Sequence, residues 1–263
     1  MPSPVRAVRP RSFSTKLAAL ALSLLLSGCA TTVGPHITSQ EEKEAQAALR
    51  LEAKAWQKTQ QQRIDDLGAR LIKATGNQNP LRFHFVASPD QTGGEIHPDS
   101  VNAWTDGKSV WVTRGMMRFV RNDDELAVVL AHEMAHAYRG HMNYLRAKQI
   151  LGMALGITAE ILAGPGAGRL ARLVTDAATK KFDRDQEREA DLYGLIWAFN
   201  AGFNADAAKE IWKRMAVEMP ESMEGGFLSS HPGSAERLLA MGKVAETLKK
   251  GVDPLEAFAP KEK

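Results

Sequence analysis

The sequence of 263 residues contains one cysteine, Cys29, so no disulfide can form within the chain. It also lacks a strong excess of either charge, because the formal net charge is +3. Four basic residues and no acidic ones lie in positions 1–28, and without that segment the net charge is −1. The charge therefore gives no reason to expect nucleic acid as a partner, and we predict none. Beyond the N-terminus, no apolar run is long enough to predict a membrane span.

The first 28 residues have the features of a targeting segment. Basic residues precede an apolar run at 17–26 that is too short to span a bilayer. It ends in Leu26-Ser27-Gly28-Cys29, which resembles a bacterial lipobox, where the cysteine becomes the lipidated first residue of the mature protein. A plain signal peptide with an incidental cysteine is the alternative. We predict a lipoprotein signal peptide at 1–28, lipidation of Cys29 and a tether at 29–38.

The remaining composition, 44% apolar and 25% charged residues overall, is typical of a globular protein with a substantial core. Periodicity and capping signals predict one α+β domain at 39–250 that is mainly α-helical. Helices are predicted at about 39–75, 123–145, 147–162, 169–180, 183–200, 205–218 and 234–249, with a glycine-rich break at 164–168. Strands are predicted at 82–87, 101–105 and 109–113, the last two joined by a hairpin at Asp106-Gly107. A flexible tail is expected at 251–263.

The motif His132-Glu133-Met134-Ala135-His136 indicates metal chemistry. In a helix, His132 and His136 project from one face and can hold one zinc ion. Glu133 points about 100° away around the helix, where it can accept a proton from a water on the metal without binding the ion. Two surface histidines on an ordinary helix are the alternative. The spacing therefore predicts a zinc peptidase with Glu133 as catalytic base.

A catalytic zinc site needs a third protein ligand, and the acidic run at 183–191 is the best source. Glu187 and Asp191 share a helix face, so one could bind zinc while the other orients a ligating histidine. The alternative is a solvated charged helix. His141 follows His136 by five residues, which does not fit the metzincin spacing, so we expect it to be structural or to lie behind the ligands.

Several segments together resemble the HtpX-type family of zinc metallopeptidases, a gluzincin group that includes the CAAX prenyl proteases. The resemblance is strongest to its periplasmic lipoprotein members, the LoiP-like and BepA-like type. BepA-like members carry helical repeats after the peptidase domain, which this sequence does not show, so the smaller LoiP-like type is favoured. The matching segments, in the order of the family, are VNAW at 101–104, VTRGMM at 112–117, DEL at 124–126, HEMAH at 132–136, EREAD at 187–191 and HPGSAER at 231–237.

The resemblance implies a zincin-like fold in which a sheet edge borders the active-site helix. It implies that Glu187 is the third zinc ligand and that Asp191 supports a ligand from behind. His231 would act in catalysis as an oxyanion stabiliser, or close the site as a fourth ligand. Asn102, Ala103 and Arg237 are the candidates for the substrate cleft, although a plain hairpin with Trp104 and Trp111 in the core is the alternative for that strand.

The function implied is a zinc endopeptidase that is anchored in the outer membrane by its lipid and faces the periplasm. Ala30, directly after Cys29, favours the outer membrane in lipoproteins of this type. Its expected partners are misfolded or outer-membrane proteins as substrates and the membrane through the anchor. The alternative is a latent or chaperone-like zinc-binding lipoprotein in which His231 closes the metal site.

Overall fold

The computed structural model describes residues 34–163, 182, 184–219, 231 and 235–259. Most of the predicted N-terminal features, including Cys29, lie outside the described residues, as do the glycine-rich break and the helix predicted at 169–180. The chain divides into two units, Met1–Arg50 and Leu51–Lys263. The described part of the first unit is exposed throughout, and the second unit contains the core.

Helices account for most of the described residues, which confirms the predicted α+β class with a predominance of helix. They are α1 (Ser39–Thr75), α2 (Arg114–Phe119), α3 (Asp123–Tyr138), α4 (His141–Ala163), α5 (Arg184–Asn200), α6 (Asp206–Glu218), α7 (Ala235–Lys249) and α8 (Pro254–Ala257). The strands are β1 (Arg82–Val86), β2 (Ala103–Thr105) and β3 (Ser109–Thr113), and a short 3-10 helix covers Pro89–Thr92. The segment expected to be a loose tail thus contains α8. Among the described helices, none is long and apolar enough to cross a membrane.

The three strands form one mixed sheet in the order β1-β3-β2. β3 pairs in parallel with β1 and antiparallel with β2, so β2 is an edge strand. It contacts α3, which confirms the prediction that a sheet edge borders the helix carrying HEMAH. Trp104 and Trp111 are half-buried and stack with ring centroids 6.0 Å apart, whereas the alternative for this strand placed both in the core.

The hairpin between β2 and β3 turns one residue later than predicted. Asp106 pairs with Ser109 through its backbone N–H, so the two central residues are Gly107 and Lys108. The carboxylate of Asp106 accepts hydrogen bonds from the N–H groups of Lys108 and Ser109, at 2.8 and 2.7 Å. An aspartate that accepts such hydrogen bonds is the first residue of its turn, so Asp106 precedes the two central residues.

The helix that carries HEMAH ends earlier than predicted. Asn122 caps its N-terminus by accepting a hydrogen bond from Glu125 N at 2.9 Å, as the sequence indicated. Its last residue is Tyr138, whereas the sequence predicted that it would continue to Leu145. Gly140 adopts a φ of 75°, in the left-handed region that ends helices, and α4 starts anew at His141.

The core places the HEMAH helix at its centre. Every residue of α3 from Glu125 to His136 is buried, which is unusual for a stretch that carries four ionisable groups. The helix packs against α5 and α6 and against the edge strand β2. Burying charged side chains is costly unless they are paired or bind a metal, so the position of this helix in itself points to a polar site inside the domain.

Candidate metal centre

The two histidines of HEMAH converge as the helical spacing predicted. Both are buried in α3, and their Nε2 atoms lie 3.1 Å apart. Two imidazole nitrogens at this separation can face one ion from the same side. The planar ring of Phe182 stacks on His136 with a centroid separation of 3.7 Å, which holds that ring against rotation.

Glu187 on α5 and His231 complete a cluster of four donors. Glu187 Oε1 lies 3.4 Å from His136 Nε2, and His231 Nδ1 lies 3.0 Å from Glu187 Oε1 and 3.2 Å from His132 Nε2. One ligand atom from each of the four residues lies within 4.8 Å of every other, and all four residues are buried. Imidazole nitrogens with one carboxylate oxygen form a donor set suited to a transition-metal ion, and zinc sites use it widely. The residues present therefore fit a metal.

Glu133 lies beside this cluster without joining it. It is fully buried, and neither of its carboxylate oxygens has a hydrogen-bond partner among the described residues. His231 Nε2 lies 3.4 Å from Glu133 Oε1. Burial raises the pKa of Glu133, which is the direction that makes a carboxylate a better proton acceptor near neutral pH.

Asp191 supports His132 from behind. Its Oδ1 lies 3.1 Å from His132 Nδ1, so the Nδ1–H of the ring can donate to the carboxylate and the Nε2 lone pair faces the cluster. Burial alone would lower the pKa of His132, but hydrogen bonds and charge from Asp191 and Glu187 raise it to about 9. The binding of a metal through Nε2 must therefore displace a proton from this pair of groups.

Arg237 lies beneath the carboxylates, whereas the family resemblance implied a position in the substrate cleft. It is 5% exposed, and its guanidinium forms a fork with Asp191, with Nε to Oδ2 at 2.7 Å and Nη2 to Oδ1 at 2.8 Å. Its Nη1 lies 2.6 Å from Glu187 Oε2. One buried cation thus pairs with and orients two buried carboxylates, which is the geometry in which burial of an acid is tolerated.

Sequence reasoning missed the residue that lets the two helices meet. Gly194 on α5 faces the backbone of α3, where a Cβ atom would lie 2.9 Å from His132 N and 3.0 Å from Ala131 C. The absence of a side chain therefore allows α5 to bring Glu187 and Asp191 up to the histidines. A glycine within a helix, on the face shared by Glu187 and Asp191, is the signal that could have indicated this contact.

The cleft candidates Asn102 and Ala103 lie at the start of the edge strand. Thr113 N donates to Asn102 O at 3.0 Å, and Asp106 N donates to Ser109 O at 3.2 Å, so alternate residues of β2 turn their backbone groups toward β3. The N–H and C=O of Ala103 therefore face away from β3. Ala103 is fully buried, and the buried Oδ1 of Asn102 has no hydrogen-bond partner among the described residues.

Comparison with known proteins identifies the family of this chain. The profile of peptidase family M48 matches residues 57–245, which include the whole donor cluster. This chain belongs to peptidase family M48. The resemblance found in the sequence is thereby confirmed.

Individual relatives match between half and two thirds of the chain. The mitochondrial metalloendopeptidase OMA1 of Saccharomyces cerevisiae is 31% identical over 143 residues, which is 52% of this chain and 41% of that protein. The beta-barrel assembly-enhancing protease of Escherichia coli K12 is 28% identical over 189 residues, covering 67% and 37% of the two chains. Metalloprotease YcaL of the same strain is 26% identical over 181 residues, covering 64% and 65%. The matched part thus spans about two fifths of the first two relatives.

Proposed function

We propose that this chain is a zinc-dependent endopeptidase of the bacterial periplasm. In this proposal a lipid at Cys29 anchors it in the outer membrane, and its substrates are misfolded or outer-membrane proteins. The observation that carries the proposal is the convergence of His132, His136 and Glu187 on one point, with the carboxylate of Glu133 beside it, which has no hydrogen-bond partner in the part of the chain that the structure describes. Two histidines and one glutamate are a recurrent ligand set of catalytic zinc.

Each side chain of the site has a distinct part in this reaction. A bound zinc ion supplies Lewis acidity and a water of lowered pKa. Glu133 accepts the proton of the attacking water and passes it to the amine that leaves, so the carboxylate ends the reaction as it began. Asp191 keeps the Nε2 lone pair of His132 directed at the metal, and Arg237 holds Asp191 and Glu187 in place.

The substrate would bind as an additional strand along β2. The backbone N–H and C=O of Ala103 point away from β3 at the sheet edge, where an extended peptide can pair with them. β2 also contacts α3, so a peptide paired there would run past the helix that carries Glu133. Asn102 adds an amide oxygen without a partner among the described residues, which can accept a hydrogen bond from the peptide backbone.

The proposed cellular location and substrate class rest on other observations than the proposed reaction does. The lipobox around Cys29 supports a lipid anchor, and Ala30 supports the outer membrane. The name of one relative, beta-barrel assembly-enhancing protease, supports outer-membrane proteins as the substrate class. Radiolabelled palmitate incorporated into the wild-type chain, and not into Cys29→Ser, would test the anchor.

The decisive experiment on the chemistry is Glu133→Gln. The substitution removes the base but none of the metal donors, so we expect near-stoichiometric zinc and a loss of casein cleavage by about 100-fold or more. Glu246→Gln, at an exposed position of α7, is the matched control and should cleave as the wild type does. Equal cleavage by Glu133→Gln and the wild type would refute the mechanism.

A second candidate function, a latent zinc protein closed by His231, is favoured by burial. His231, Glu133 and Ala103 are each at most 1% exposed, so a polypeptide can reach them only after the site opens. His231 Nδ1 lies within the donor cluster, where it would complete a four-ligand shell typical of structural zinc. We expect His231→Ala to raise casein cleavage, whereas a role in oxyanion stabilisation predicts a loss.

A further inference from the structure

His136 has a partner on the side that faces away from the donor cluster. The turn at Gly140 brings His141, the first residue of α4, back against the HEMAH helix. His141 Nδ1 lies 2.9 Å from His136 Nδ1, and His141 Nε2 lies 2.9 Å from Glu189 Oε2. The contacts form a chain from the fully buried His136, through the 4% exposed His141, to a carboxylate at the protein surface.

This series of hydrogen-bond contacts sets which nitrogen of each imidazole ring carries a hydrogen. An ionised carboxylate can only accept, so His141 Nε2 carries the hydrogen that it donates to Glu189. An imidazole with its hydrogen on Nε2 has a lone pair on Nδ1, and in His141 that lone pair accepts the Nδ1–H of His136. His136 is left with a lone pair on Nε2, the atom that lies 3.1 Å from His132 Nε2 within the donor cluster.

We propose that His141 and Glu189 are positioning residues that present the Nε2 lone pair of His136 to the metal. The inference rests on the proposed function, in which His136 is a zinc ligand. The two histidines of HEMAH would then each be oriented by a carboxylate of α5: His132 directly by Asp191, and His136 by Glu189 through the imidazole of His141.

The arrangement has one clear consequence. Without the Glu189 carboxylate, His141 can place its hydrogen on Nδ1 instead, and His136 must then move its own hydrogen to Nε2. A ring in that tautomer cannot bind a metal through Nε2. Removal of a partner behind a ligating histidine typically costs 10- to 100-fold in metal affinity, and the relay should show a loss of that order.

The test is the zinc affinity of the full chain, measured by competition with a chromophoric chelator. We expect His141→Phe, which keeps a planar ring but no polar atom, and Glu189→Ala to bind zinc about 10- to 100-fold more weakly. His141→Gln keeps an acceptor and a donor and should stay within about threefold of the wild type. The double variant His141→Phe/Glu189→Ala should lose no more than the larger single loss, because the two residues act as one unit.

Controls separate positioning from folding. Glu189 also pairs with Arg139, at 2.7 Å. Asp185, 90% exposed on α5, pairs with Arg188 at 2.6 Å in a similar way, so Asp185→Ala controls for the loss of such a pair and should leave the affinity within about twofold. Nitrogen NMR of the metal-free protein should show His136 protonated at Nδ1 in the wild type and at Nε2 in Glu189→Ala, a change that loss of stability alone does not produce. If His141→Phe does not fold, Glu189→Ala and His141→Gln still decide the outcome.

The possible results distinguish the two proposals. Zinc affinities of Glu189→Ala and His141→Phe within about twofold of the wild type would overturn the relay and leave the peptidase proposal intact. If the wild-type chain itself binds no zinc, both proposals fail. Equal losses in His141→Gln and His141→Phe would also overturn the relay, because the hydrogen bonds would then be irrelevant to the effect.

Discussion

Gly194 packs directly against the backbone of His132, and a Cβ atom at position 194 would lie 2.9 Å from the His132 nitrogen. The contact joins α5, which carries Glu187 and Asp191, to α3, which carries both histidines of HEMAH. Because the obstacle is backbone and not the end of a flexible side chain, an added methyl group can be accommodated only if the helices separate.

We therefore expect Gly194→Ala to weaken the site more than its size suggests. Overpacking of this kind costs about 1–3 kcal/mol in free energy of unfolding, and the displaced carboxylates should lower zinc affinity as well. Urea unfolding and zinc competition would measure the two effects. Gly242→Ala is the matched control, since a Cβ there meets no atom within 4 Å, and alanine in a helix should stabilise the protein by up to about 1 kcal/mol. A Gly194→Ala variant as stable as Gly242→Ala would contradict the close contact.

A second prediction concerns the ion pairs of Arg237 with Asp191 and Glu187. Arg237→Met should leave Asp191 and Glu187 as buried carboxylates without their cation, at a cost of about 3–5 kcal/mol in free energy of unfolding. The measurement is urea unfolding of the metal-free protein, so that zinc cannot replace the missing charge. Arg118→Ala, which breaks a surface pair with Asp99, should cost at most about 1 kcal/mol. If Arg237→Met and Arg118→Ala lost similar free energies of unfolding, the buried ion pairs of Arg237 would contribute no more to stability than a surface pair.

The pair of Glu125 and Arg214, which is not part of the donor cluster, makes the free energy of unfolding depend on acid pH. Burial acts to raise the pKa of Glu125, but hydrogen bonds and charge from Arg214 outweigh it and hold the pKa below its ordinary value of 4.5. A depressed folded-state pKa stabilises the protein above the unfolded value, and this contribution is lost as the pH falls through the folded value.

Glu125→Gln should therefore unfold more easily at neutral pH, by about 3 kcal/mol, because Arg214 stays buried without its carboxylate. The difference from the wild type should shrink as the pH falls below 4.5, the ordinary value for the group. Urea unfolding of both metal-free proteins between about pH 3 and 7 would measure this difference, which reflects the binding of roughly one proton. A difference that stays constant over that range would contradict the linkage.

Zinc itself should stabilise the fold. At a free zinc concentration about 100 times the dissociation constant, the expected gain is about 2.7 kcal/mol, which thermal unfolding with and without a chelator would measure. Glu187→Gln should lose most of the gain because it removes the proposed carboxylate ligand. Glu210→Gln, an exposed position on α6, should keep it. Equal stabilisation of both variants would exclude Glu187 as a ligand.

Much of the fold could be predicted from local signals. The capping residue Asn122 marks the start of the helix that carries HEMAH. The helices at 184–200 and 206–218 lie within two residues of their predicted bounds. The errors fall where a local pattern was ambiguous. The helical pattern continues through Gly140, yet the left-handed backbone there ends α3 at Tyr138, and this break is what allows His141 to turn back toward His136.

The sequence by itself determined which chemical groups are present and which of them share a helix face. The four-residue spacings of His132 and His136, and of Glu187 and Asp191, follow from the period of the helix alone. Only the tertiary structure decided how α3 and α5 face each other, because that depends on contacts between residues distant in the chain, such as Gly194 with His132. The same contacts place Arg237 beneath the carboxylates and Glu189 at the end of the relay to His136, since burial and pairing are properties of the assembled core.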